Sequence, residues 1–300
     1  MRIVLILTDK EGWHYDQLKK SFEKYNFITK VSGLEKLSIS ISGNNSKVTD
    51  SSGKCLDVTD VFVRHIPGGS LEEIIHSLNI LKVFKANNVN IINSAECIET
   101  TVDKSLTSIK LKAAGINTPN TWIMRGKDQS RVLLEDLLQK HSLIYKPLFG
   151  SQGDNIIKIT NINDFEKIIN ETNIYYFQEF IQTEPSHDYR VLICKNQNKV
   201  VTYTMLRQGN DYINNISKGA KCFPVKNDKD IIEIALRASE VIDIPFCGVD
   251  IIKGNNTSYV IELNSIPAWR GIQSISNDII SDEIIKTFFV DNNDSLFLQN

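Results

Sequence analysis

The chain opens on 2-RIVLIL-7, a run of five apolar residues after Arg2 that is far too short for a membrane span and has no polar alternation. Such a run reads as a fully buried strand. A polar turn follows, and Leu18, Phe22 and Tyr25 then recur at helical spacing, so the chain begins β–α. Short strands are expected at 38-SISIS-42 and 46-SKVTDSSGKCLDV-58, around a Gly53 turn, and at 61-VFVRHI-66. An amphipathic helix at 71-LEEIIHSLNILKVFKAN-87 and a strand at 90-NIINS-94 complete the order of a small α/β domain, residues 1–97.

At 300 residues the chain exceeds the size at which one core keeps growing, so two or three domains are expected. With 41% hydrophobic and 23% charged residues, it has enough apolar material for a substantial core. The formal net charge of −2, with acids and bases mixed along the chain, provides no basic stripe for nucleic acid. Its five cysteines, at 55, 97, 194, 222 and 247, are scattered and never in C-x-x-C spacing, against a disulfide framework and a zinc site. No stretch approaches a membrane span or a signal sequence, so a cytoplasmic protein without a membrane partner is expected.

From Thr101 to Ala114 the pattern is helical, and 115-GINTPNTWIM-124 supplies a Gly stop, a Pro turn and a strand. The strands 143-LIYKP-147, 156-IIKIT-160 and 174-IYYFQEFI-181, with a helix from Ile162 to Asn170, make a second unit, residues 98–182. A third unit, 183–300, holds strands at 189-YRVLIC-194, 199-KVVTYTMLR-207, 247-CGVDIIK-253 and 258-SYVIELN-264, and a helix at 228-DKDIIEIALRASEVI-242. The expected class is α/β (α+β).

Three patterns could carry chemistry. Asp250, Glu262 and Asn264 lie on neighbouring strands joined by 254-GNNTS-258; strand alternation puts Glu262 and Asn264 on one face, and antiparallel pairing brings Asp250 beside them. Three oxygen donors there suit a hard divalent cation, and a solvated polar strand end is the plainer alternative. In 143-LIYKPLFGSQGDNI-156 a strand ends at Lys146 before a small-residue loop whose backbone N–H groups could approach phosphate, although the loop matches neither common phosphate-loop motif and a plain hairpin turn explains it too. The third is 176-YFQEFI-181 followed by 187-HDYR-190, which by itself reads as an edge strand and a turn. The histidines show no metal-binding pairing and no serine lies in a G-x-S-x-G context, so zinc and nucleophilic hydrolase chemistry are excluded.

Taken in order, 103-DKSLTSIKLKAAGINTP-119, Lys146-Pro147, 150-GSQG-153, 178-QEFI-181, 188-DYR-190, Arg207, 212-YINNISKGA-220, 248-GVD-250 and 262-ELNSIPAWRGIQ-273 resemble the ATP-grasp superfamily, specifically the RimK-type amino-acid ligases. The resemblance implies an ATP-grasp fold behind an N-terminal pre-ATP-grasp α/β domain. By it, Lys104 and Lys146 contact the nucleotide, Gly150, Ser151, Gln152 and Gly153 cover the phosphates, and Gln178, Glu179, Phe180 and Ile181 form the adenine hinge. Glu184 or Asp188 lies near the ribose. Asp250, Glu262 and Asn264 match ligands of Mg²⁺ or Mn²⁺, two ions in all, and Arg190, Arg207 and Asn215 match positions facing phosphates and the reacting carboxylate. The implied reaction phosphorylates an acceptor carboxylate with ATP and joins the acylphosphate to an amine.

The sequence departs from the family at Ile213, where many relatives have arginine, at Ala220, where glycine is usual, and at Ala268-Trp269-Arg270 after the metal strand. That bulkier loop is similar to the branch that adds glutamate to coenzymes such as tetrahydromethanopterin or coenzyme F420. Ser265, Trp269 and Arg270 are the substrate candidates, Trp269 either stacking on an acceptor ring or packing the loop. A small-molecule acceptor, glutamate as the amine and a homo-oligomer are what the resemblance implies. Modification of a protein terminus or carrier protein, and a catalytically reduced nucleotide-binding subunit, are the alternatives.

Overall fold

The computed structural model describes residues 2–150, 153–169, 172–209, 211–226, 228–254 and 257–290. In the N-terminal part, β1 (Ile3–Leu7), α1 (Trp13–Lys24), β2 (Ile28–Ser32), the hairpin β3 (Ser38–Ser42) and β4 (Asn45–Thr49), β5 (Asp60–Val63), α2 (Leu71–Ala86) and β6 (Asn90–Ile92) follow in order. The parallel sheet runs β2-β1-β5-β6. Its first strand is apolar throughout because both faces are covered. Val4 and Ile6 join Phe22, Phe62, Phe246 and Trp269 in one core, while Leu5 and Leu7 join Leu78, Leu81 and Phe84 of α2 in another. A capping box starts α2, Ser70 accepting from the Glu73 amide and the Glu73 carboxylate accepting from that of Ser70.

The helix expected over 101–114 corresponds to α4 (Lys104–Ala113); a separate helix, α3 (Ala95–Val102), precedes it and overlaps that expectation only at Thr101 and Val102. Asp103 divides them: its carboxylate accepts from the amides of Ser105 and Leu106, capping a new helix whose first residue is Lys104. Leu111 and Ile116 are buried with the C-terminal sheet rather than with the strands that follow them.

Next come β7 (Thr121–Arg125), α5 (Lys127–Leu137), β8 (Leu143–Lys146), β9 (Ile157–Ile159), α6 (Ile162–Glu166) and β10 (Ile174–Glu179), an antiparallel sheet in the order β7-β10-β8-β9 with its own core around Leu134, Phe165, Tyr175 and Phe177. The C-terminal sheet, β13-β12-β11-β14-β15, is built from β11 (His187–Lys195), β12 (Val200–Gln208), β13 (Lys221–Pro224), β14 (Phe246–Lys253) and β15 (Ser258–Asn264). Between β13 and β14 runs α7 (Lys229–Ile242), which covers one face; α8 (Arg270–Gln273) and α9 (Ile280–Phe288) follow β15. Alternation along β11 again feeds two cores, Val191 and Ile193 beneath α7, Leu192 and Cys194 toward α9 and the N-terminal sheet.

Six of these elements, β2, α3, α5, β13, α8 and α9, lie outside the expectations from the sequence. In α5 only Ser130 and Leu134 are buried while Val132 and Leu133 are exposed, so its apolar spacing is weak. β2 is a half-exposed edge strand and β13 ends in Pro224. The helix expected over 162–170 ends at Glu166, and residue 170 is outside the described residues.

The buried side chain of Asn93 ties the N-terminal sheet to the C-terminal one. Its Nδ2 donates to the carbonyls of Phe246 (2.6 Å) and Ser265 (2.5 Å), and its Oδ1 accepts from the Phe246 amide (3.3 Å). Asn93→Ala therefore strands buried backbone groups, and denaturant unfolding should show a loss of about 1–3 kcal/mol for each group left unpaired.

Candidate active site

A cleft lies where β8 and β10 of the central sheet face β14 and β15 of the C-terminal sheet. Lys146 ends β8 opposite Tyr176, and its Nζ donates to Oε1 of Gln178 at 2.7 Å. Gln178 is fixed in turn by donating from Nε2 to the hydroxyls of Tyr176 (3.2 Å) and Thr121 (3.4 Å). Burial pushes the Lys146 ammonium down to about 8, with Glu262 opposing the shift and Lys104 adding to it. Lys104 reaches the cleft from the start of α4 and donates to the carbonyls of Gly150 (2.9 Å) and Leu148 (3.3 Å), with Glu262 Oε1 4.0 Å away. Burial lowers its pKa as well, against the pull of Glu262 and Asp103.

Four charged side chains line up across the adjacent strands β12, β11 and β14. Asp188 lies directly opposite Arg207, and Arg190 directly opposite Asp250. Arg207 holds Asp188 through Nε and Nη2 at 2.6 and 2.8 Å; Arg190 holds Asp250 through the same two atoms, both at 2.6 Å. A third contact, Arg207 Nη2 to Asp250 Oδ2 at 3.1 Å, joins the pairs. Burial would raise the Asp250 carboxyl, but the guanidinium groups of Arg190 and Arg207 outweigh it and keep the acid ionised. Arg207 is only 2% exposed and is held by both acids where it lines the cleft.

Asp250 pairs with Glu262 and Gly248 with Asn264, but the next pair up the hairpin is Ile251 with Val260, leaving Ile261 as an extra residue. This bulge lets Ile261 and Glu262 both line the cleft despite being neighbours in sequence. Glu262 is 31% exposed and touches no arginine, so it is the least committed carboxylate of the group. Asn264 Nδ2 is buried without a partner, and turning its carboxamide over would put the oxygen there. Among the described residues no three His, Cys, Asp or Glu side chains cluster for a metal. The donor set on this face is two carboxylates and one carboxamide, which fits Mg²⁺.

The model of the RimK-like ATP-grasp domain matches residues 101–288. The chain belongs to this family. It is an ATP-grasp ligase, and the fold implies ATP and Mg²⁺. Among similar proteins, a tetrahydromethanopterin:alpha-L-glutamate ligase of Methanococcus maripaludis is 26% identical over 93% of this chain and 95% of its own. The alpha-aminoadipate–LysW ligase LysX of Saccharolobus solfataricus is 24% identical over 76% of this chain and 82% of its own. The ATP-grasp ligase PsnB, solved with a minimal precursor, Mg and ADP, superposes with a TM-score of 0.68 at 15% identity, over 95% of this chain and 98% of that one, a likeness of fold.

In this ATP-grasp frame Gly150 and Gly153 line the cleft; Ser151 and Gln152 lie outside the described residues. Gln178, Glu179, Phe180 and Ile181 line it as well, although the Glu179 carboxylate is held by Asn120 (2.8 Å) and His141 (3.3 Å). Asp188 lines the cleft, whereas Glu184 sits in a neighbouring hollow beside Lys158 and Asp211. Asn215 and Ile213 are at the mouth, close to where a side chain on Gly153 would reach. Sequence reasoning missed Asp154, whose ion pair with Lys218 (2.6 Å) links the two loops there, and Tyr212, which donates to the Ile156 carbonyl at 3.4 Å.

The three substrate candidates after β15 are not in this cleft. Trp269 is fully buried between Phe246, His14 and the Arg64 guanidinium, so its ring has no face to stack on an acceptor and packs the loop instead. Ser265 is buried and accepts from the Thr101 hydroxyl at 2.7 Å. Arg270 is exposed, its guanidinium 5.9 Å from the centre of the Trp13 ring. For the charged row, Arg207→Met leaves Asp188 without its partner; loss of a buried partner predicts about 3–5 kcal/mol of destabilisation by denaturant unfolding.

Proposed function

We propose that this ligase activates the carboxylate of a small-molecule acceptor with ATP and joins it to L-glutamate, releasing ADP and phosphate. The convergence of Lys104, Lys146 and Glu262 on one cleft carries the reading: two cations placed for a polyphosphate lie beside a carboxylate left free for a cation. Glu262, Asn264 and Asp250 would hold the magnesium, two ions by the family resemblance, and bound metal would neutralise phosphate charge. Lys146 and Lys104 orient the phosphates, Gln178 through Ile181 hold the base, and Arg190 and Asn215 face the reacting carboxylate. Such a transfer needs positioning and charge neutralisation more than covalent help.

Similarity to the tetrahydromethanopterin ligase over nearly the whole length supports a coenzyme-type acceptor and glutamate. With Trp269 buried, ring stacking by that residue is no part of acceptor recognition. A carrier-protein acceptor is the second reading, favoured by the LysX relative. Incubating a cell extract with the protein, MgATP and isotope-labelled glutamate, followed by mass spectrometry, separates the two. Label in a small molecule is expected; label on a polypeptide supports the second reading, and no ATP-dependent label contradicts both.

Because Lys146 titrates near 8 in the free protein and phosphate stabilises its charged form, nucleotide affinity should fall as pH rises through 8, by up to about tenfold per unit. Calorimetric binding of an ATP analogue from pH 6 to 10 checks this. Lys146→Met should bind more weakly at pH 7, with that part of the pH dependence removed.

A further inference from the structure

Away from the nucleotide cleft, the loop after β15 meets the ends of β1 and β5 in a cluster rich in cations and aromatic rings. Arg64 lies over the Trp269 ring (4.8 Å), Trp269 packs edge-on to His14 (4.6 Å), His14 to Trp13 (4.8 Å), and Arg270 approaches the Trp13 ring (5.9 Å). Burial, reinforced by Arg64 and then Arg270, drives His14 down to about 3, so it is neutral; its Nε2 accepts from the Trp269 amide at 3.2 Å. Two arginines therefore share this cluster, and neither forms an ion pair among the described residues.

The donors there are also unmet. Of the four buried side-chain polar atoms without a partner among the described residues, two belong to this cluster, Arg64 Nε and Trp269 Nε1, which marks it as short of an acceptor. Arg64 Nη1 donates to the Pro267 carbonyl at 2.8 Å, leaving the Nε and Nη2 edge. That is the edge with which Arg190 and Arg207 each grip a carboxylate in the same molecule. Pro267 also packs toward the catalytic face: a side chain on Gly248 would come within 3.2 Å of Pro267 and 3.7 Å of Arg190 Nε. Arg64 is thus one loop away from the proposed reacting centre.

We propose that Arg64, assisted by Arg270, binds a substrate carboxylate other than the one being activated, at the junction of the N-terminal sheet with the loop after the metal strand. The assignment rests on the ligase reading and adds to it an anionic subsite centred on Arg64, a residue outside every motif that carries the family resemblance. The carboxylate comes from the incoming amino acid or from the acceptor. In either case it supplies the acceptor that Arg64 Nε lacks and balances the paired cations.

Calorimetry on the full chain saturated with Mg²⁺ and a non-hydrolysable ATP analogue tests this, with L-glutamate and glutarate as probes. Wild type should bind at least one probe, and Arg64→Gln should weaken that binding about tenfold or more, the scale of one charged bidentate contact. Loss confined to L-glutamate assigns the carboxylate to the amino acid; loss of glutarate as well assigns it to the acceptor. Unchanged binding in Arg64→Gln, or no binding of either probe to wild type, overturns the subsite. Failure of wild type to bind the nucleotide analogue instead counts against the ligase reading. Should Arg64→Gln not fold, the exposed Arg270→Gln decides, since it must weaken the same probe and an unchanged affinity overturns the proposal.

Discussion

The site depends on one guanidinium placed between two buried carboxylates. Without Arg207, Asp188 and Asp250 would stand as neighbouring acids in a desolvated sheet, where like charges are strongly unfavourable. With it, and with Arg190 closing the row, Asp250 is held ionised, while burial raises the Asp188 carboxyl against the pull of Arg207. Strand register delivers this geometry directly, because each arginine lies opposite its acid and the side chains of a cross-strand pair share one face. Glu262 is then the acid with freedom left to bind something from outside. A polar row that costs free energy to bury is thereby turned into a fixed scaffold for one responsive carboxylate.

The surrounding architecture keeps that row in place. β1 and β11 are each buried on both faces, and the residues of each alternate between a local core and the core shared by the N-terminal and C-terminal sheets. Asn93 adds a polar tie across the same junction. The central sheet has a separate core and meets the C-terminal sheet along the cleft, where Lys146, Gln178 and Lys104 face Glu262. A nucleotide would bind between two bodies, each with its own hydrophobic interior.

Much of this was legible in the residues. The strands that carry Lys146, Gln178, Asp250 and Glu262 follow from apolar runs ending in polar side chains, and the ordered motifs pointed to the family the chain belongs to. The helix α9 has regular spacing at Ile280, Ile284 and Ile285 and could have been read as well. Other features depend on tertiary partners and leave no local pattern. The bulge at Ile261 is a matter of hairpin pairing. The engagement of Arg190 and Arg207 by acids, rather than by open space, depends on which strands become neighbours. Trp269 is a surface-compatible aromatic in an irregular loop, and only the fold shows that it fills the core beside Phe246.

The central claim is that Glu262 is the uncommitted carboxylate through which this site takes up magnesium for phosphoryl transfer. Its most direct test is ADP formation by wild type and Glu262→Gln across a magnesium titration, in the presence of an acceptor found by labelling. The account predicts that the variant folds, binds nucleotide without metal as wild type does, and forms no ADP above background at any magnesium concentration. ADP production equal to that of wild type would contradict it.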